Sequence, residues 1–192
     1  MNNYTTYPQQ KYRIGDNMKF KQKVDTVIAI LLILIGIVLL ILPIFNITNI
    51  KHLSIIIFAL YTVLNLIQFI LTRKSKDYEG LHSAIGSLIV LIASIITSPE
   101  SSPKTLAMLL MTWIIFMSLA KLKKMDYYHD KNDRMWKIRF LNLGLFIIVG
   151  LLTSINLAHV STVQVLVLGF FLLIHGILEL FDPIVKTLIA HS

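Results

Sequence analysis

The chain has 192 residues, 56% of them hydrophobic and only 15% charged, with a net charge of +8 and no cysteine; its mean hydropathy is +0.74 and its pI about 9.7. A soluble domain carries about a quarter charged residues, so this composition belongs to a membrane-embedded chain with room for one bundle and no separate soluble domain. The lack of cysteine excludes disulfides, thiolate nucleophiles and cysteine metal sites.

The chain opens on a polar stretch, residues 1–23, whose Tyr4, Tyr7, Pro8, Gln9 and Gln10 show no apolar periodicity. It reads as a mobile cytoplasmic tail. Residues 27–45 follow, about twenty residues without a polar side chain, enough for an α-helix to cross a hydrocarbon core of about 30 Å. This run is longer than a signal-peptide core of about 7–15 residues and leads into Pro43, Ile44 and Phe45 without a small-residue cleavage site, so it stays as the first span. Weaker apolar runs recur, giving spans at 24–45, 51–72, 80–98, 105–122, 138–157 and 160–181. Pro43 and Asn46, the charged stretch 73–79, the Ser-Pro-Glu-Ser-Ser-Pro turn at 98–103, the polar stretch 121–137 and a short turn around Ala158 and His159 separate them. Spans one and two, three and four, and five and six thus form three tight hairpins, with a short C-terminal tail at 183–192 that runs along the interface.

Lys and Arg are retained on the cytoplasmic side of spans. Only Lys51 and Lys104 flank the opposite side, while the rest of the 18 basic residues lie before span one, between spans two and three, around the loop between four and five, or after span six. Both termini are therefore expected in the cytoplasm. The same residues make membrane lipids the first partner, since a basic residue near an anionic surface gains about 1 kcal/mol. They track span ends rather than forming an aromatic-interleaved patch, which speaks against nucleic acid. A second copy of the chain is a further candidate partner.

The hairpins also look like copies of one unit. Ala29, Gly36 and Pro43 are seven apart; Gly86 and Ala93 repeat the step; Gly144 and Gly150 approximate it, and Gly169 and Gly176 show it again in the last span. Seven residues are nearly two turns, so these small residues share a face, where they let helices approach closely in lipid. Gly36, Ala93 and Gly150 stand 57 residues apart at each step, a period that suggests a two-helix repeat. The fold class read from these features is an all-α membrane protein of six transmembrane helices in 24–182, arranged as three repeated hairpins at about 24–72, 80–122 and 138–182. The third span, richest in small residues, is expected near the bundle centre.

The segments IAILLILIGIVLLILP at 28–43, LNLGLFIIVGLL at 141–152 and LGFFLLIHGILELFD at 168–182 resemble the HdeD-like family of bacterial acid-resistance membrane proteins. The resemblance implies six spans in three hairpins and a link to acid stress, and it carries over no catalytic residue. The middle hairpin departs from the pattern at Ala93 and Ser118, and the polar N-terminal stretch lies outside it.

Ionisable groups inside a membrane are candidates for function. His175 lies about four turns into the last span, with Glu179 one turn on along the same face. The pair could relay protons, because histidine titrates near pH 6.5 before environmental shifts; the plainer alternative is that His175 bonds across the bundle to Asn65. Asn65 and Gln68 share a face of span two and read first as a helix cross-link. Asp25 and Asp182 look solvated at span ends, and Glu179 looks able to reach water. His82 and His159 lie near span ends, while Trp113 reads as packing and Trp136 as an interfacial anchor. His129, Asp126, Asp130 and Asp133, mixed with lysines, read as a solvated loop rather than a metal site. No phosphate loop, serine elbow or zinc-helix motif is present. No catalytic residue, cofactor or metal is expected, and no substrate is specified. The leading expectation is a non-enzymatic multi-pass protein of the bacterial cytoplasmic membrane, active in acid or envelope stress. The alternative is a small proton-linked transporter or channel. A water-lined gap between spans two and six would favour transport, and a dry interior the first reading.

Overall fold

The computed structural model describes residues 8–73, 78–97, 103–130, 135–157 and 161–191. These form six helices: α1 (Pro8–Ile41), α2 (Ile50–Thr72), α3 (Glu79–Thr97), α4 (Pro103–Asp130), α5 (Met135–Asn156) and α6 (Ser161–His191). Each is long and apolar enough to cross a membrane, and no strand occurs among the described residues. The chain has the character of a multi-pass membrane protein. Residues 1–7, the turn at 98–102, Asp133 and His159 lie outside the described residues.

Three helices run past their expected ends. α1 begins at Pro8, so the part of the polar tail from there to residue 23 is helix continuous with the first span. α4 continues to Asp130, which makes much of the stretch read as a charged loop helical, and α6 continues through Pro183 to His191. Loss of apolar periodicity marks where a helix leaves lipid and is no signal that it stops. The end of α1 does have local chemistry. Ile41 passes into a single 3-10 turn, Leu42–Phe45, with Pro43 in its first positions, where its missing N–H is not needed. Asn46 then adopts a left-handed conformation (φ 58°) and its N–H donates to Pro43 O at 3.0 Å, closing the last turn. Asn49 caps α2 by accepting from the His52 N–H at 3.1 Å. At the far end of α5, Gln164 Nε2 donates to Leu157 O at 2.7 Å and ties the start of α6 to that turn.

The helices close into a ring in which α6 returns to α1. The most extensive packing joins α6 to α1, α2 to α3 and α4 to α5, with α3 on α4, an expected hairpin, close behind; α5 with α6 and α1 with α2 make smaller contacts. Glycine explains the α1–α6 seam. A Cβ on Gly36 would lie 2.5 Å from Leu173 N and 2.8 Å from Gly169 O, and one on Gly176 would lie 2.8 Å from Ile33 N and 2.9 Å from Ala29 O. The neighbours are backbone, which no rotamer change can move aside. Ala29 is fully buried beside this seam. Gly86 meets Phe116 of α4, and Gly150 meets Ile114 of α4. Ala93 packs against the core from a half-buried position, and Pro43 serves the end of α1 rather than a close approach. Gly144 differs from its expected role, since a Cβ there would meet nothing within 4 Å.

The expectation for the third span is also corrected. The span in α6 is the most enclosed, with 50% of its most apolar window buried against 39% for α3. The small residues of α3 bury one face, where Thr62 donates to Ser87 Oγ at 2.9 Å, while Ile85, Leu88, Ile89, Ile92, Ile95 and Ile96 face outward. The core is aromatic: Trp113, Phe146, Phe171 and His175 are each 1% exposed. Trp113 stands edge-on to Tyr61 with centroids 4.8 Å apart and to Phe171 at 5.5 Å, geometries that match positive ring edges to negative faces.

Candidate functional site: a histidine over a buried ionic cavity

Near one end of the bundle, α2, α4 and α6 each carry two polar residues three apart, hence on one face: Asn65 and Gln68, Lys121 and Lys124, Glu179 and Asp182. One pair is neutral, one cationic, one anionic. One turn deeper, four residues before each pair, stand Tyr61, Met117 and His175. These three meet. Tyr61 Oη donates to Met117 Sδ at 3.8 Å and lies 3.0 Å from His175 Nε2. Tyr61 and His175 both fall in the middle part of their spans.

The polar residues below them are paired. Gln68 Nε2 donates to Asp25 Oδ1 at 2.7 Å, and Lys21 lies 3.8 Å from Asp25 Oδ2. Lys124 pairs with Glu79, and Arg139 Nη2 with Asp182 Oδ2 at 2.7 Å. Gln68–Asp25, Lys124–Glu79 and Asp182–Arg139 join consecutive helices. Lys121 pairs with Glu179 and thereby links α4 to α6; its ammonium also lies 5.2 Å from the Phe146 ring centroid. The four cations and four carboxylates of this network balance in formal charge. Two buried charges in low dielectric persist only when each meets an opposite partner.

Several expectations change here. Asp182 is 8% exposed and ion-paired, not solvated at a span end. Asp25 is held by Gln68 and Lys21. Glu179 keeps 24% of its side chain exposed, and its carboxylate is engaged by Lys121. Lys124, placed by sequence in the charged loop, is 9% exposed. His175 is bonded to Tyr61, while Asn65 Nδ2 donates to the Tyr61 carbonyl at 2.7 Å. His82 stays at the surface, its Nδ1 2.7 Å from Tyr78 O. Trp136 is half-buried, its ring centroid 5.2 Å from that of His129. No group of three His, Asp or Glu able to hold a metal occurs among the described residues.

A cavity of about 20 Å³ lies below Tyr61, room for about one water. Asn65, Gln68 and Tyr61 line it from α2, Glu179 and Asp182 from α6, Lys124 from α4, Glu79 and Ser83 from α3, and Asp25 from α1. Above it the aromatic cluster fills the interior. The space between spans two and six is therefore polar in one half and packed in the other.

The chemistry of His175 follows from its neighbours. A single hydroxyl proton serves one acceptor, so both contacts of Tyr61 are satisfied together when Tyr61 donates to Met117 and accepts from a protonated Nε2. Nδ1 is then the basic nitrogen of the ring. It has no hydrogen-bond partner among the described residues and lies 3.9 Å from Glu179 Oε1. A proton taken up there would give Glu179 a second cation, in competition with Lys121.

Tyr61, Lys121, Lys124, Arg139 and Asn142 carry this site beyond the residues first singled out. For Lys121 and Lys124, and for Arg139 and Asn142, the signal was a three-residue spacing like that of Asn65 and Gln68; Tyr61 stands outside it, four residues before Asn65. No family model matches the sequence, and comparisons with curated proteins and with solved structures find no match either.

Proposed function

We propose that the chain is a non-enzymatic multi-pass protein of the bacterial cytoplasmic membrane, with both termini cytoplasmic, that serves acid- or envelope-stress tolerance through a proton-responsive centre at His175. The observation that carries this reading is the arrangement of His175 itself: 1% exposed, bonded at Nε2 to Tyr61, and turned with Nδ1 toward a carboxylate already held by Lys121. Protonation weakens the Lys121–Glu179 link between α4 and α6, so the packing of those helices becomes sensitive to acid. The resemblance to the HdeD-like family supplies the stress context, and the distribution of Lys and Arg supplies the orientation. The equal steps of 57 residues from Gly36 to Ala93 and from Ala93 to Gly150 are what supports the repeat.

In a deletion strain, survival after acid challenge falls, the intact chain restores it, and His175→Ala at equal membrane abundance does not. Unchanged survival on deletion sinks the stress reading. The polar cavity between α2 and α6 favours a second reading, a proton-linked transporter. Its readout is a His175-dependent change of internal pH in proteoliposomes carrying a dye.

A further inference from the structure

We propose that a file of water enters from the ionic end of the bundle along the α5–α6 seam and delivers protons to His175 Nδ1. The proposal rests on the reading of His175 as proton-responsive and names the route and the residues that mark it. Among the buried polar atoms on this seam, these acceptors have no hydrogen-bond partner among the described residues: Asp182 Oδ1, Asn142 Oδ1 and His175 Nδ1. Their residues are 8%, 8% and 1% exposed. Asn142 is anchored to α6 by its other end, Nδ2 donating to Leu178 O at 2.7 Å, which holds the amide between Asp182 and His175. From His175 to Asp182 the helix rises about 10 Å.

All three atoms are acceptors once Nε2 carries the histidine proton. An apolar occupant would leave them bare, and an anion has no hydrogen to donate to them and would face the Asp182 carboxylate. Water donates two hydrogen bonds and serves otherwise unsatisfied buried polar groups, and the cavity lined by Asp182 and Glu179 lies at the Asp182 end of the three. The step balances simply: a water of the file gives a proton to the Nδ1 lone pair, forming N–H as its own O–H breaks. The proton moves up behind it from hydronium at the ionic end, so one hydronium becomes water and one imidazole becomes imidazolium.

The charged and titratable groups facing His175 are Tyr61 from α2, Lys121 from α4 and Glu179 from α6; α5 offers the Phe146 ring at 5.0 Å. Those facing Asp182 are Arg139 from α5 and, across the cavity, Lys124 from α4, Glu79 from α3 and Asp25 from α1. Arg139 holds Asp182 Oδ2, leaving Oδ1 for water.

Because the chain has no cysteine, single replacements report water directly. In the full chain in lipid nanodiscs, Asn142→Cys reacts with a small water-soluble thiosulfonate at least about tenfold faster than Phe171→Cys one turn above His175, since a thiol ionises only where water reaches it. Equally slow reaction overturns the path. A second measurement avoids any disturbance at position 142: in the unsubstituted chain labelled with ¹⁵N-histidine, the His175 ring shows magnetisation exchange with water, and its absence also overturns the path. If the seam is wet but His175→Ala restores acid survival, the path stands and the proton-responsive reading falls. If the seam is dry and His175→Ala fails to restore survival, the reading stands without this route.

Discussion

Arg139→Ala is expected to lower stability by about 3–5 kcal/mol, because removing one partner strands a buried charge. Arg139 and Asp182 have side chains 7% and 11% exposed, and they hold each other at 2.7 Å. With the guanidinium gone, Asp182 would keep a carboxylate in the bundle with neither oxygen paired by it. Replacing both residues with apolar ones of similar size, Arg139→Met with Asp182→Leu, removes the stranded charge as well and recovers most of the loss. Denaturant unfolding in detergent with tryptophan emission as the probe reads both values. Equal destabilisation by the single and double replacements would contradict a direct pairing.

Gly36→Val is expected to separate α1 from α6 and cost about 3 kcal/mol or more, at the severe end of overpacking. The obstacle is backbone on the facing helix, at 2.5 Å and 2.8 Å from the added carbon. Relief requires the helices to move apart, and in lipid no hydrophobic force draws them back. Gly144→Ala is the matched control: its Cβ meets nothing within 4 Å, and alanine gains about 0.5–1 kcal/mol over glycine inside a helix. Folded yield and unfolding midpoints of the two variants should therefore move in opposite directions.

The six spans were legible because each is an apolar run of bilayer length, a signal that depends on composition alone. The end of α1 was legible too, since Pro43 and Asn46 act through local backbone geometry. The ionic network was hidden for the opposite reason. Lys124 and Asp182 sit at span ends, where a charge is ordinarily solvated, and only the third dimension brings Glu79 and Arg139 against them. The spacing shared by Asn65 and Gln68, Lys121 and Lys124, and Glu179 and Asp182 was in the sequence. Its members were read separately, Asn65 and Gln68 as a cross-link, Lys121 and Lys124 as part of a basic loop, Glu179 as the partner of His175 and Asp182 as a helix flank. His175 was recognised as the central polar group, but its partner lies one turn from the residue expected, because Tyr61 spans the gap that Asn65 would have had to cross. α1 and α4 run on into polar sequence, where helical continuation leaves no apolar mark.

Whether His175 takes up a proton inside the bundle can be read from Trp113, whose ring centroid lies 5.8 Å from the imidazole. The chain has two tryptophans, so Trp136→Phe leaves Trp113 as the sole reporter. Imidazolium quenches indole emission more strongly than imidazole does. Emission in nanodiscs should fall reversibly as the medium is acidified, and His175→Gln in the same background should abolish the fall. Emission that stays flat on acidification, or that falls equally without His175, would contradict a proton-responsive centre at this position.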